Sequence, residues 1–197
     1  MRVYLGILLI LVLAFAFDWF PNEIKRPRGV LVSGEPDQEL IAQGRPWPYK
    51  AYQITPLANF HLRARVLMTE RYWLGREAQI SPMDLTVGWR LMSDQNILDQ
   101  LDIYRGYRAF YWKPKTAQWP AAHEDITEHV ANLHMIPANS AIDSRLKSIR
   151  PGNLIDLRGY LVLAEAPDGW HWRSSLSRTD EGPGACELVW AENLAAN

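Results

Sequence analysis

His134, Cys186 and Glu187, together with Ser174 and Ser175, come closest to a catalytic set in this sequence. A cysteine or serine beside a histidine base is the minimum of a nucleophile–base pair. Against that, Cys186 opens the largely apolar run Ala185-Cys186-Glu187-Leu188-Val189, where a free cysteine is expected to be buried and inert. Ser174 and Ser175 lack the Gly-x-Ser-x-Gly elbow. His129 and His134 stand five residues apart, which does not place both on one helix face. A zinc site would need further ligands from Asp125, Glu128, Cys186 or Glu187. His134 therefore reads first as a buried, hydrogen-bonded side chain and His129 as a surface one. These patterns assign no catalytic residue, no metal and no cofactor.

A better signal for a ligand is the polar stretch that follows Trp172. Arg173, Ser174, Ser175, Arg178 and Asp180 lead into the glycine-rich loop Thr179-Asp180-Glu181-Gly182-Pro183-Gly184. Loops of this kind offer backbone N–H groups and arginines to an anion. The loop is not a Walker loop, because no Gly-Lys-Ser/Thr follows. The plainer reading is a tight turn held by an Arg–Asp pair, since Gly, Asp and Pro are ordinary turn formers. With His134 added, these residues are the candidate ligand site, and a small anion is the expected ligand.

The elements that must position them follow from periodicity. Phe60, Leu62, Ala64, Val66 and Met68 alternate with more polar neighbours, which predicts a half-buried strand over Phe60 to Thr69. Tyr49 to Ile54 reads as extended, and Gly29 to Ser33 as a short strand. Ser81-Pro82 before Met83-Asp84-Leu85 predicts a helix start, with Pro at the first helical position, continuing towards Trp89. A second short helix follows Ser93 or Asp94. The aromatic run Tyr107 to Trp112 predicts a strand. Ser140 to Ile149 has helical spacing of Ile142, Leu146 and Ile149. Leu154 to Ala164 is the clearest strand, Asp168-Gly169 a hairpin turn before Trp170 to Ser175, and Cys186 to Ala191 a last strand. The sum is an α+β domain dominated by an antiparallel, curled or barrel-like sheet with about three short helices. The run from Arg150 to Val162 resembles the strand segments of small OB- or SH3-like barrels.

The N-terminus has another character. Val3 to Phe17 is apolar apart from the Tyr4 hydroxyl and is preceded by Arg2, the layout of a signal sequence or signal anchor. Ala14-Phe15-Ala16 offers a cleavage site, but no polar region precedes it, so an uncleaved hydrophobic helix is the preferred expectation. Residues 1–20 are thus assigned as membrane anchor or signal segment, 21–48 as a Pro- and Gly-rich connector, and 49–197 as the globular domain. Lys25, Arg26 and Arg28 after the segment argue for a cytoplasmic domain. Export behind a signal-like terminus argues for the outside, and the domain is placed there.

The formal net charge of −1 gives no basic footprint for nucleic acid. Nine tryptophans read first as packing groups and second as a platform for sugars or lipid headgroups. Three stretches resemble signature blocks of a family of bacterial membrane-anchored proteins with no established activity. They are Ser81 to Trp89 with Met92-Ser93-Asp94, Asn132 to Ala138, and Gly159 to Val162 continued by Trp172 to Asp180 and Gly184 to Glu187. The resemblance implies membrane anchoring and supplies no catalytic residues; the N-terminal segment gives the expectation of a single-pass inner-membrane protein with a periplasmic domain. The leading expectation is a membrane-anchored extracytoplasmic binding or scaffold domain whose partners are the membrane and envelope proteins or a small anion. The competing ones are an envelope hydrolase using His134, Cys186 or Glu187, and a cytoplasm-facing anchored interaction module.

Overall fold

The computed structural model describes residues 23–180, 182 and 184–197. The expected anchor over residues 1–20 and the cleavage site after Ala16 lie outside the described residues. Among these, no helix is long and apolar enough to cross a membrane.

The chain runs β1 (Asp37–Leu40), β2 (Trp47–Tyr49), β3 (Tyr52–Arg71), β4 (Met83–Gly88), α1 (Gln95–Leu98), β5 (Leu101–Gly106), β6 (Ala109–Pro114), α2 (His123–Glu128), β7 (Val130–Pro137), α3 (Ser140–Ser148), β8 (Leu154–Glu165), β9 (His171–Arg173) and β10 (Glu187–Ala196). The fold is α+β, as its periodicities predict. Its organising element is β3, whose 20 residues alternate buried Ala58, Phe60, Leu62, Ala64 and Val66 with polar Asn59, His61, Arg63 and Arg65. Register shifts at Pro56/Ala58 and Val66/Met68 bend it, as bulges do. The bent strand pairs with β8 from Gln53 to Arg65 and with β4 from Arg65 to Arg71.

That double pairing closes a ring. β4 pairs antiparallel with β7, β7 runs parallel to β10, and β10 returns antiparallel to β8. Counted along the ring, the five strands are connected 1-2-3-5-4-1, the connectivity of the OB fold, a five-stranded Greek-key barrel. α3 bridges the third and fourth strands and buries Ile142 and Leu146. Leu62, Leu85, Leu133, Leu157 and Val189 fill the barrel. A second apolar layer outside it joins Ile54, Ile136, Val162 and Trp190 to Trp47, Tyr49 and Trp170. Trp89 and Trp190 are buried, whereas Trp73 and Trp119 stand exposed.

Two local expectations are corrected. The segment after Ser81-Pro82 is not a helix but the strand β4, every residue of it buried. Met83, Leu85 and Val87 enter the barrel core, so Asp84 and Thr86 face the other side. Neighbours on both edges, β3 and β7, outweigh the local helix-start signal. Gly29 to Ser33 forms no strand. Its backbone instead bonds to side chains, with Leu31 and Val32 N–H donating to Ser93 Oγ at 3.0 Å each. Asp94 caps α1 by accepting from Asn96 N–H. The stretch from residue 23 to 48 lies against the barrel: Ile24 N–H donates to Pro151 O at 2.8 Å, and β1 and β2 pair with β3.

Barrel closure has a tight point at Gly159, which pairs with Phe60 on β3 and Ala191 on β10. A Cβ there would lie 1.9 Å from the Trp190 carbonyl oxygen. Gly159→Ala is therefore expected to lower stability by about 1–3 kcal/mol. Urea unfolding should show a lower midpoint at unchanged slope, and an unchanged midpoint would contradict the closure.

Candidate functional site

The outward side chains of β4 and β7 are polar yet buried: Asp84, Thr86, Asn132 and His134 are each at most 4% exposed. They are covered by the β5–β6 hairpin and by the segment between β8 and β10. Arg108, in the hairpin turn at φ 54°, reaches down to this layer. Its Nη1 donates to Asp84 Oδ1 at 2.8 Å and its Nη2 to Ser81 O at 2.9 Å. Its guanidinium lies 3.8 Å from the Tyr72 ring centroid and 5.3 Å from that of Trp172. A non-glycine residue at positive φ costs on the order of 1 kcal/mol or more, and the pairing with Asp84 offsets this.

His134 Nδ1 sits 2.9 Å from the same Asp84 Oδ1, without the alignment of a hydrogen bond. The Trp172 ring covers it at 4.7 Å between centroids. Asn132 Nδ2 donates to Cys186 Sγ, and the thiol donates to Arg108 O, both at 3.7 Å. Three buried atoms of this layer, Asp84 Oδ2, Arg108 Nε and His134 Nδ1, have no hydrogen-bond partner. Buried polar groups are rarely left so, which makes the layer a candidate site.

Beside it opens a cleft of about 720 Å³, within the range of small-molecule sites. Tyr107, Trp112 and Trp172 supply flat apolar surface, and Arg173 and Arg178 supply charge.

Of the residues singled out from sequence, His134, Arg173, Arg178 and Asp180 line this cleft. Ser174 and Ser175 are buried beside it and hold the chain in shape. Ser174 Oγ accepts from Leu188 N–H at 3.0 Å and donates to Ser175 O at 2.7 Å. Ser175 Oγ donates to Asp180 Oδ2 at 2.6 Å. Cys186 and Glu187 also border the cleft, but Glu187 has the barrel-facing parity of Val189, whereas His134 has the outward parity of Ile136. No hydrogen bond joins His134 to Cys186, and burial pushes the thiol up to about 11, which makes it a poor nucleophile at neutral pH. His129 points elsewhere, to Glu35 at 3.3 Å. Among the described residues, no three His, Cys, Asp or Glu side chains converge as metal ligands.

Asp84 and Arg108 escaped the sequence reading. Asp84 carried a signal, because a strand reading of Met83 to Val87 puts it on one face with Thr86. Arg108, one arginine in a turn, carried none.

No protein-family model, curated protein or solved structure matches the chain. Function therefore has to be read from this geometry.

Two outcomes are expected. Removing one partner of a buried ion pair leaves an uncompensated charge, so Asp84→Ala should cost about 3–5 kcal/mol in urea unfolding. A loss below about 1 kcal/mol would mean the pair is not closed in solution. Glu187 is 4% exposed, and burial raises its carboxyl to about 8, against the opposing pull of Arg178. The folded chain then holds a proton that the unfolded chain releases near 4.5. Stability should fall as pH rises from about 5 to 8, by up to about 1.4 kcal/mol per pH unit. Glu187→Gln should flatten that slope; an equal slope in both proteins would place the titration elsewhere.

Proposed function

We propose that the chain is a membrane-tethered, extracytoplasmic binding domain of the bacterial envelope whose ligand site is the cleft over β7. The observation that carries the binding reading is the cleft itself, with aromatic walls, free arginine charge and a floor of buried polar groups. OB barrels serve as binding scaffolds through the same strand face and the loops beside it. That comparison is analogy at the level of fold.

The membrane part of the reading is supported by the apolar run Val3 to Phe17 and by the resemblance to bacterial membrane-anchored proteins. The basic residues behind that run favour the opposite orientation when counted as topological signals. Two of them have a reason to exist within the fold. Arg26 donates to Gly152 O at 2.7 Å and to Asn197 O, and Arg28 lies 3.6 Å from Asp99. Charges required by the fold are weak evidence for the side of the membrane. The partners proposed are the membrane, through residues 1–20, and a small anion or an envelope protein at the cleft.

A reporter joined to Asn197 through a flexible linker is expected to be active only outside the cytoplasm. Activity confined to the cytoplasm would make the domain a cytoplasm-facing module. For the cleft, ligand screening of the full chain in lipid nanodiscs should find compounds that quench tryptophan emission. Ala185→Trp, which fills the cleft, should abolish that response while leaving the unfolding midpoint within about 1 kcal/mol. Hits that bind the filled variant equally well would remove the cleft as the site. Turnover of a hit, lost in His134→Ala, would favour the hydrolase instead.

A further inference from the structure

We propose that the cleft selects a small organic anion, a carboxylate or phosphate group on a flat apolar body, with Arg178 and Arg173 receiving the charged end. This rests on the binding reading above and adds the chemical class of the ligand.

Arg178 is placed for such a role. It enters the mouth of the barrel, where its guanidinium lies 5.6 Å from the Phe60 ring centroid and 5.8 Å from that of Trp89. A guanidinium has five N–H donors, and among the described residues one hydrogen bond is made, from Nη2 to Gln38 Oε1 at 3.2 Å. The nearest carboxylate oxygen, Glu187 Oε1, is 3.8 Å from Nη1, beyond hydrogen-bond length. The side chain is 24% exposed, so its unused donors are open to the cleft that it lines. Arg173 lines the same cleft, is exposed, and makes no ion pair or side-chain hydrogen bond among the described residues.

The acids nearby do not occupy the open donors of these arginines. Asp180 is bound by the Ser175 hydroxyl. Glu35 is engaged by Trp89 Nε1 at 2.8 Å and by Arg90 at 2.9 Å. Glu77 belongs to the β3–β4 loop, a different wall from the β8–β10 segment that carries both arginines. The buried Glu187 carboxyl retains its proton at neutral pH, which leaves the guanidinium beside it without a full counter-charge. A planar fork with free donors next to indole faces fits an anion bound edge-on with its body stacked. Either arginine would repel a metal ion or an ammonium group placed against it.

Four probes separate the components in calorimetry with the full chain in nanodiscs at pH 7: benzoate, phenyl phosphate, benzamide and inorganic phosphate. Benzoate or phenyl phosphate should bind about tenfold tighter than benzamide, the worth of one charge-assisted hydrogen-bond pair; which of the two leads identifies the anionic group. Arg178→Gln should remove that preference and leave benzamide binding unchanged. Because Arg178 also packs on Phe60 and Trp89, Arg173→Gln is the second variant. It is exposed, should fold as the parent does, and should weaken only the anions, by about fivefold or more. Benzamide binding as tightly as benzoate would overturn the anion inference and leave the cleft reading standing. Inorganic phosphate binding as tightly as phenyl phosphate would overturn the role of the aromatic walls. If no probe binds, both readings fall.

Discussion

The site depends on one buried ion pair, Asp84 with Arg108. Asp84 sits on the barrel and Arg108 on a hairpin whose two strands pair with no others among the described residues. A two-stranded hairpin is marginal in water, so its position has to come from what it touches. At its base, Ile103, Phe110 and Trp112 pack against Met92, Leu101, Ile126 and Val130. At its tip, Arg108 bonds Asp84 and Ser81 and lies beside Tyr72 and Trp172. Fixed at both ends, the hairpin stands off the β7 face as the wall of a cleft. The pair acts with the bonds from Arg108 N–H to Tyr72 Oη and from the Cys186 thiol to Arg108 O, which hold the same turn.

Stability alone does not account for such a layer. Replacing a buried ion pair by well-packed apolar residues is often neutral or favourable, because the desolvation cost of two charges rivals their attraction. Here the cost is compounded by the unpaired Asp84 Oδ2, Arg108 Nε and His134 Nδ1. A second costly group, the buried Glu187 carboxyl, faces Arg178 at the barrel mouth. Both departures from an ordinary core border the same cleft. Departures from local consistency concentrate at functional sites, and their coincidence here is a stronger argument than either alone.

The parts of the fold legible in the sequence were those whose period was long and uninterrupted. Leu154 to Ala164 and Ser140 to Ile149 carry such patterns and became β8 and α3. β3 read as two pieces because Pro56 interrupts the alternation; in the barrel a register shift at Pro56/Ala58 accommodates it, since a proline without an N–H is tolerated at a bulge. β4 was misread because Ser-Pro is a sound local helix signal, and only the flanking strands, distant in sequence, decide otherwise. The site divided in the same way. Arg173, Arg178 and Asp180 were visible because they cluster along the chain. Asp84 and Arg108 are 24 residues apart, and only the ring closure and the hairpin bring them together. The single strand misreading therefore also concealed the acid at the centre of the site.

The same geometry bears on the choice between binding and catalysis. His134, Cys186 and Glu187 all border the cleft, so position at the cleft does not by itself separate the two readings; protonation and partners do. Cys186 uses its thiol proton to bond Arg108 O and its sulfur to accept from Asn132, which fixes the hairpin to β7. Deprotonating it would remove the donor in that bridge and place an anion among buried Asp84 and Glu187, both of which raise its pKa further. The environment that makes the thiol useful as a structural link thus opposes its use as a nucleophile. The carboxylate nearest His134 is already held by Arg108 at 2.8 Å. Among the described residues, Arg173 and Arg178 are cations that keep open donors at the cleft, and arginines that remain charged bind rather than exchange protons. Recognition of charge is accordingly the chemistry this cleft is best equipped to perform.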